Sequence, residues 1–332
     1  MKIIKPDYYD SFTCLAGACP DSCCKDWAVD VDPDSARRYL ALEGPLGDAL
    51  RAVLVEENGE YSMEIINGRC PMWREDGLCN IQAQLGHNGL CEVCKTFPRL
   101  RHDYGDFVEL GLELSCPQAA ELIFSSAGTF LSQVTDEGSS VEYDEEIMAI
   151  LQKSRETFLS FLEETNCSLP KILTILLLYG YDVQGEIDGG EEIPFDPEDC
   201  LKRAAHYAGQ GDLEAVFDFF RELNILTLQW KDRLNTPAEN PAWQDTFKPL
   251  IRYFICRYWL QVVSDFDLVC RVKFIIIACI LISALDGDPV QTAQLFSKEI
   301  ENDADNVEAI FDGAYTAPAF TDANLLGLLL NS

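Results

Sequence analysis

Apolar residues recur at helical spacing through the last two-thirds of the chain and only in short stretches before that. The 3.6-residue period predicts helices over 117–131, 145–164, 169–179, 197–209, 212–228, 241–263, 268–285, 289–301 and 306–311. Loops are expected at 136–140, where the chain reads DEGSS, and at 185–192, where it reads GEIDGGEE. The first part is broken more often. Residues 33–57 read as helical, with Asp32 as the cap and Pro33 in the first turn, and Gly44-Pro45 should interrupt them. Residues 61–66 alternate weakly, as a strand does. Residues 80–85 suit a short helix ended by Gly86, and 107–114 alternate cleanly after a turn at Tyr104-Gly105-Asp106. The pattern predicts a mainly α protein: a small cysteine-rich lobe with a short β element over 1–125, followed by an α-helical domain over 126–332.

Composition narrows the function classes. The chain has 332 residues, 48% of them hydrophobic, enough for a substantial core. Its 56 acidic and 25 basic side chains leave a net charge of −31, which argues against nucleic acid as a partner because phosphate binding needs clustered Lys and Arg. The most apolar run, 274–285, is shorter than the roughly 17–25 residues of a spanning helix, and Arg271 and Lys273 stand just ahead of it. The opening residues lack the apolar stretch of a signal peptide. The expectation is therefore a cytoplasmic protein with no membrane partner. Residues 126–332 carry 35 acidic and 14 basic groups. That charge either solvates the surface or steers a lysine-bearing partner toward it.

The cysteines change the picture most. Nine of the 14 fall within the first 116 residues, and the absence of an export signal favours metal binding over disulfides. Cys167, Cys200, Cys256, Cys270 and Cys279 stand alone in helical sequence and read as small core hydrophobes. The early set runs Cys14, Cys19, Cys23 and Cys24, then Cys70 and Cys79 around a turn, then Cys91 and Cys94, then Cys116. Thiolates are soft donors for zinc or iron–sulfur clusters. Tidy short-spaced pairs mark structural zinc, and only Cys91-x2-Cys94 has that form. Scattered spacing suits an iron–sulfur cluster, although spacing alone leaves both metals and a disulfide scaffold open. The adjacent Cys23 and Cys24 do not suit one metal together; one would ligate while the other packs or serves a second site. His87 and His102 lie nearby without completing a ligand set. No GxGxxG, P-loop, HExxH or GxSxG motif is present.

The stretch from Phe12 to Trp27, FTCLAGACPDSCCKDW, resembles the opening of the flagellin lysine-N-methylase (FliB-like) family. Further landmarks agree in order: Cys70-Pro71-Met72-Trp73, Gly77-Leu78-Cys79-Asn80-Ile81, Leu85-Gly86, Cys94-Lys95-Thr96-Phe97-Pro98-Arg99, and Cys116-Pro117. The resemblance covers about residues 1–125. It implies transfer of methyl from S-adenosyl-L-methionine to lysine side chains of a flagellin-like protein, and a bound 4Fe-4S cluster. The metal positions it implies are Cys14, Cys19, Cys23, Cys24, Cys70, Cys79, Cys94 and Cys116, with Cys91 an extra. Arg99 is the candidate for cofactor binding, through the donor's carboxylate or the cluster thiolates, and a surface ion pair is its bland alternative. Trp27 reads as a core residue sealing the lobe. Tyr8 and Tyr9 read as packing residues or as the border of a lysine channel. No residue stands out as the catalytic base. The competing expectation is a non-catalytic zinc- or iron-binding interaction module.

Overall fold

Strand β1 (Lys2–Pro6) starts a four-stranded sheet that residues a hundred positions later complete. The computed structural model describes residues 1–331 apart from 136–140, 208 and 239, so the loop expected at 136–140 lies outside the described residues. After β1 come β2 (Val29–Val31), α1 (Pro33–Ala41), α2 (Pro45–Val53), β3 (Leu54–Glu57), β4 (Glu60–Met63), α3 (Asn80–Leu85), α4 (Glu92–Thr96), β5 (Arg99–Asp103), β6 (Phe107–Leu112), α5 (Pro117–Ser125) and β7 (Phe130–Val134). The remainder is helical: α6 (Glu145–Glu164), α7 (Leu169–Ile187), α8 (Pro197–Tyr207), α9 (Leu213–Arg221), α10 (Leu228–Leu234), α11 (Phe247–Tyr258), α12 (Leu268–Ala284), α13 (Pro289–Phe296), α14 (Ala304–Thr316) and α15 (Asp322–Leu330). The mainly α expectation holds.

There is more β structure than the pattern suggested. One sheet runs β5-β6-β1-β7, with β1 and β6 parallel and Ile3 opposite Val108. The other runs β2-β4-β3 and is antiparallel. Residues 54–57, expected to be helical, form β3 because Asn58 and Gly59 both take positive φ (53° and 87°), the signature of a tight hairpin turn. The helix expected over 117–131 stops at Ser125, and Phe130–Val134 pairs with β1 instead. Helix α7 runs on to Ile187, into the expected 185–192 loop. The 212–228 segment contains only α9, capped by Asp212, and a second helix, α10, begins after Thr227. Helix α15, capped by Thr321, was not anticipated.

Every residue of α12 is buried, and α7, α11, α13 and α14 pack around it. Arg271 and Lys273, just ahead of the apolar run at 274–285, are buried with the rest of this helix. Arg271 forms two hydrogen bonds to Asp265, and Lys273 donates to the carbonyls of Ala314 and Phe320 at 2.9 and 3.1 Å. Phe254 meets Phe274 and Phe296 edge-on at the centre, and Phe274 tilts against Phe296. Each such buried side chain contributes roughly 1.5–3 kcal/mol. Residues of β6 and α5 join this large core. A separate small core gathers Val29, Val31, Tyr39, Leu50, Met63 and Ile81 with Cys70 and Cys91. Among the described residues no helix is long and apolar enough to cross a membrane.

Candidate functional site

A cavity of about 320 Å3 opens between the small core and the start of α5, and all nine early cysteines line it. Four come from the loop after β1. A short 3-10 turn (Ala16–Ala18) lets the Ala16 N–H donate to Cys14 Sγ at 3.4 Å, and Cys19 Sγ donates to the Asp21 carbonyl at 3.2 Å. Gly77 (φ 78°) packs directly on Gly17; a Cβ there would stand 2.9 Å from the Gly17 Cα, so the two loops can meet only at glycine. Cys70 is tied to the first loop by its N–H, which donates to the Cys24 carbonyl at 2.9 Å. A bridge between Trp73 and Cys79 folds the second pair back on itself.

Three of the remaining positions share one device. Cys79, Cys91 and Cys116 each stand immediately before a helix, at the N-caps of α3, α4 and α5. Backbone N–H groups of those first turns reach the thiols and favour their ionised form. Burial opposes this and prevails at two of them, holding Cys79 up and Cys116 at about 11. Cys70 is likewise pushed up to about 11 by burial. Two thiol pairs behave differently. Cys24 accepts a hydrogen bond from Cys23, and Cys91 from Cys94, which pulls Cys24 and Cys91 down to about 7 and pushes the donors up.

These donors suit a thiophilic metal or an iron–sulfur cluster in kind and number. Among the described residues no three His, Cys, Asp or Glu side chains stand close enough to hold a metal ion as they are placed. The thiols are instead hydrogen-bonded to each other and to backbone. Cys91, outside the set implied by the resemblance, is buried in the same cavity wall, whereas Cys94 is exposed. His87 is exposed at the cavity edge; His102 faces a different, smaller cavity under β5 and β6. Arg99 lies on the cavity rim with its guanidinium 5.1 Å from the Phe12 ring. Trp27 is half-buried rather than core; it lines the cavity edge-on to Phe97 and donates from Nε1 to the Cys23 carbonyl. Tyr8 packs on the large core, and Tyr9 packs beside Phe12 and Cys116.

Sequence reasoning missed the residues that fasten this site to the helices. Residues 297–301 form a π-helical turn after α13, and all five are buried. Lys298, 2% exposed, reaches Asp21 at 2.9 and 3.0 Å and Asp26 at 2.8 Å, and stands 5.3 Å over the Trp27 ring. Gln294, on α13, donates to both Asp21 and the Ser115 carbonyl. From the same turn Glu301 pairs with Arg257 at 2.9 Å and accepts from Tyr253 and Tyr258. Burial of Lys298 opposes its charge, yet its bonds to Asp26 and Asp21 outweigh that and raise its pKa. No local pattern at 294–301 announces this, because the partners lie some 270 residues away.

The chain is 31% identical over 134 residues to the flagellar biosynthetic protein FliU of Salmonella muenchen, a match covering 37% of this chain and 77% of that protein. It is 32% identical over 130 residues to the lysine-N-methylase of Salmonella typhimurium, and 32% identical over 133 residues to that of Salmonella choleraesuis. Those two matches cover 37% of this chain and 32% of each methylase, so the chain matches about a third of their length. No family model and no solved structure matches the chain.

Proposed function

The chain belongs to the family of FliU and the lysine-N-methylases, and from that premise we propose that it is a protein-lysine N-methyltransferase. Its donor would be S-adenosyl-L-methionine, its substrate a flagellin-like, lysine-bearing protein, and its cysteine cavity would hold a 4Fe-4S cluster. The observation that carries this reading is the gathering of all nine early cysteines around one cavity, in a chain whose relatives include named lysine methylases.

A lysine amine attacks a sulfonium methyl only when neutral, and its free pKa is ~10.4. A water-poor, partly aromatic approach disfavours the ammonium and lowers that value. Phe12, Trp27 and Phe97 at the cavity edge supply apolar and aromatic surface of this kind. Arg99, exposed on the rim, can receive the donor's carboxylate through its planar fork of N–H groups. Four of the nine thiols would hold the cluster, which supplies a rigid inorganic anchor for the lobe when bound. The acidic surface of 126–332 would draw a lysine-bearing partner in.

The test is incubation of the full chain with purified flagellin and isotopically labelled S-adenosyl-L-methionine, read by peptide mass spectrometry. Labelled methyl on flagellin lysines, weakened strongly by Arg99→Ala through a higher KM for the donor, is the expected result. A protein that binds metal yet neither binds the donor nor labels lysine would be the interaction module instead.

A further inference from the structure

Beneath β5 and β6 lies the second cavity, of about 50 Å3, in which two arginines meet an apolar slot. We propose that it binds a free two- or three-carbon carboxylic acid, held as its carboxylate by Arg252 and Arg257 with the short stem in the slot. This site is independent of the cysteine lobe and of methyl transfer, and its test needs neither.

The slot comes from the sheet. The antiparallel register pairs His102 with Glu109 and Leu100 with Gly111, so these four residues share one face, and all four line the cavity. Gly111 sets no side chain against Leu100; a Cβ built there would meet nothing nearer than Leu100 at 3.7 Å. A glycine inside a strand often marks a place where a ligand comes close. From the other side α11 supplies Pro249, Arg252, Tyr253, Cys256 and Arg257, its i, i+3, i+4, i+7 and i+8 stripe. Such an inward stripe is ordinarily apolar. Two arginines interrupt this one.

Those arginines are fastened on one side and bare on the other. Glu109, buried on the facing strand, is engaged by both terminal nitrogens of Arg155 and so is not free to pair with them. Arg257 meets Glu301 at 2.9 Å through Nε and Glu113 at 3.6 Å through Nη2. Arg252 meets the exposed Glu163 at 3.6 Å, through Nη2. Gly128, at φ 68°, lies so close to Arg252 that a Cβ there would stand 2.7 Å from its Cδ. Among the described residues, Arg257 Nη1, Arg252 Nε and His102 Nε2 are buried without a hydrogen-bond partner.

Buried polar groups left unpaired are costly, charged ones most of all. A carboxylate answers this set, offering two oxygens to two guanidinium N–H groups. Burial and the neighbouring Arg257 hold His102 below its ordinary pKa, so it meets the ligand as a neutral imidazole that donates from Nε2. The volume takes about four water-sized groups, which is the size of acetate or propionate. Leu100, Ile123 and Phe130 give the stem its apolar wall.

The test titrates propionate into the full chain at constant ionic strength, read by ligand-observed nuclear magnetic resonance, with propionamide as the uncharged analogue. Saturable binding of propionate is expected, with propionamide weaker by about tenfold or more. Arg252→Gln should weaken propionate by about tenfold, and Arg252→Lys by less. Gly111→Val fills the slot without touching a charge and should abolish binding; Gly111→Ala repeats the readout should the larger residue disturb the sheet by circular dichroism. The exposed pair of Arg37 with Asp34 lies elsewhere, so Arg37→Gln should bind as wild type does. Propionamide bound as well as propionate, binding undiminished in both Arg252→Gln and Gly111→Val, or no saturable binding at all overturns the proposal.

Discussion

The helical body and the cysteine lobe use the same residue type to opposite ends. In the body, Cys279 sits fully buried in α12, its thiol pushed far up by burial alone, and it packs as a small hydrophobe. In the lobe, Cys79, Cys91 and Cys116 stand where helices begin and N–H groups favour the thiolate, although burial still holds Cys79 and Cys116 up, and hydrogen bonds from Cys23 and Cys94 bring Cys24 and Cys91 down to about 7. The body needs no help beyond its apolar interior. The lobe has a core of thirteen buried residues and short strands, a size at which metal–thiolate bonds or outside contacts ordinarily supply part of the folding free energy. The π-helical turn at 297–301 is one place where the two regions meet, Lys298 facing the lobe and Glu301 facing the body.

Withdrawing metal should separate the regions most sharply. Chelation is expected to strip amide protection from 12–30 and 69–98 in hydrogen-exchange mass spectrometry, with α12 unchanged, because thiolate–metal bonding contributes on the order of 10 kcal/mol. Equal loss in α12 would mean the regions fold as one. The reverse experiment is Phe274→Ala, which should cost about 3–5 kcal/mol in urea unfolding while bound metal per folded chain stays constant. Lys298→Met cuts the link. Because Asp21 and Asp26 keep partial access to water, the expected cost is about 1–3 kcal/mol, with exchange rising in the 19–27 loop first and metal retention falling. Lys298→Arg should restore part of both. Protection of that loop unchanged in the methionine variant would show that the clamp holds nothing.

The smallest effect concerns acid. Asp32 caps α1 by accepting from Ser35 N, and accepts from Glu92 N beside Cys91. Burial works against its charge, but these N–H groups hold its carboxyl down at about 2, below the ordinary 3.8. A lowered folded-state pKa means that this stabilisation is complete above about pH 4 and is lost as the pH falls through 2. Asp32→Asn should keep the cap and flatten the acid dependence of lobe unfolding in that window; an unchanged profile would assign the acid sensitivity elsewhere.

How much of this was legible in advance follows physical range. Helices α6 and α12 announced themselves because their periodicity is local, and the cysteine positions because thiol chemistry is written in residue type. Strands β1 and β7 were not legible, since each is defined by a partner more than a hundred residues away. Strand β3 was, through Asn58-Gly59, but the helical reading of 33–57 overrode the turn. Cys91 falls outside the family pattern, yet it is buried in the same cavity wall, where a hydrogen bond from Cys94 lowers its thiol to about 7. Trp27 reads as core because aromatic residues usually are, whereas Lys298, which lies over its ring, is invisible from its own surroundings.

We propose that the lobe cysteines bind metal, whereas Cys200, Cys270 and Cys279 of the body are simply buried. Alkylation of the native, anaerobically purified chain with iodoacetamide, mapped by peptide mass spectrometry before and after chelation, tests it most directly. Cys14, Cys23 and Cys94 are exposed and would react at once as free thiols. The account predicts that Cys14 and Cys23 resist alkylation until the chelator is added and then react, while Cys279 stays unmodified throughout. Immediate alkylation of Cys14 and Cys23, at the same rate with and without chelator, would contradict it.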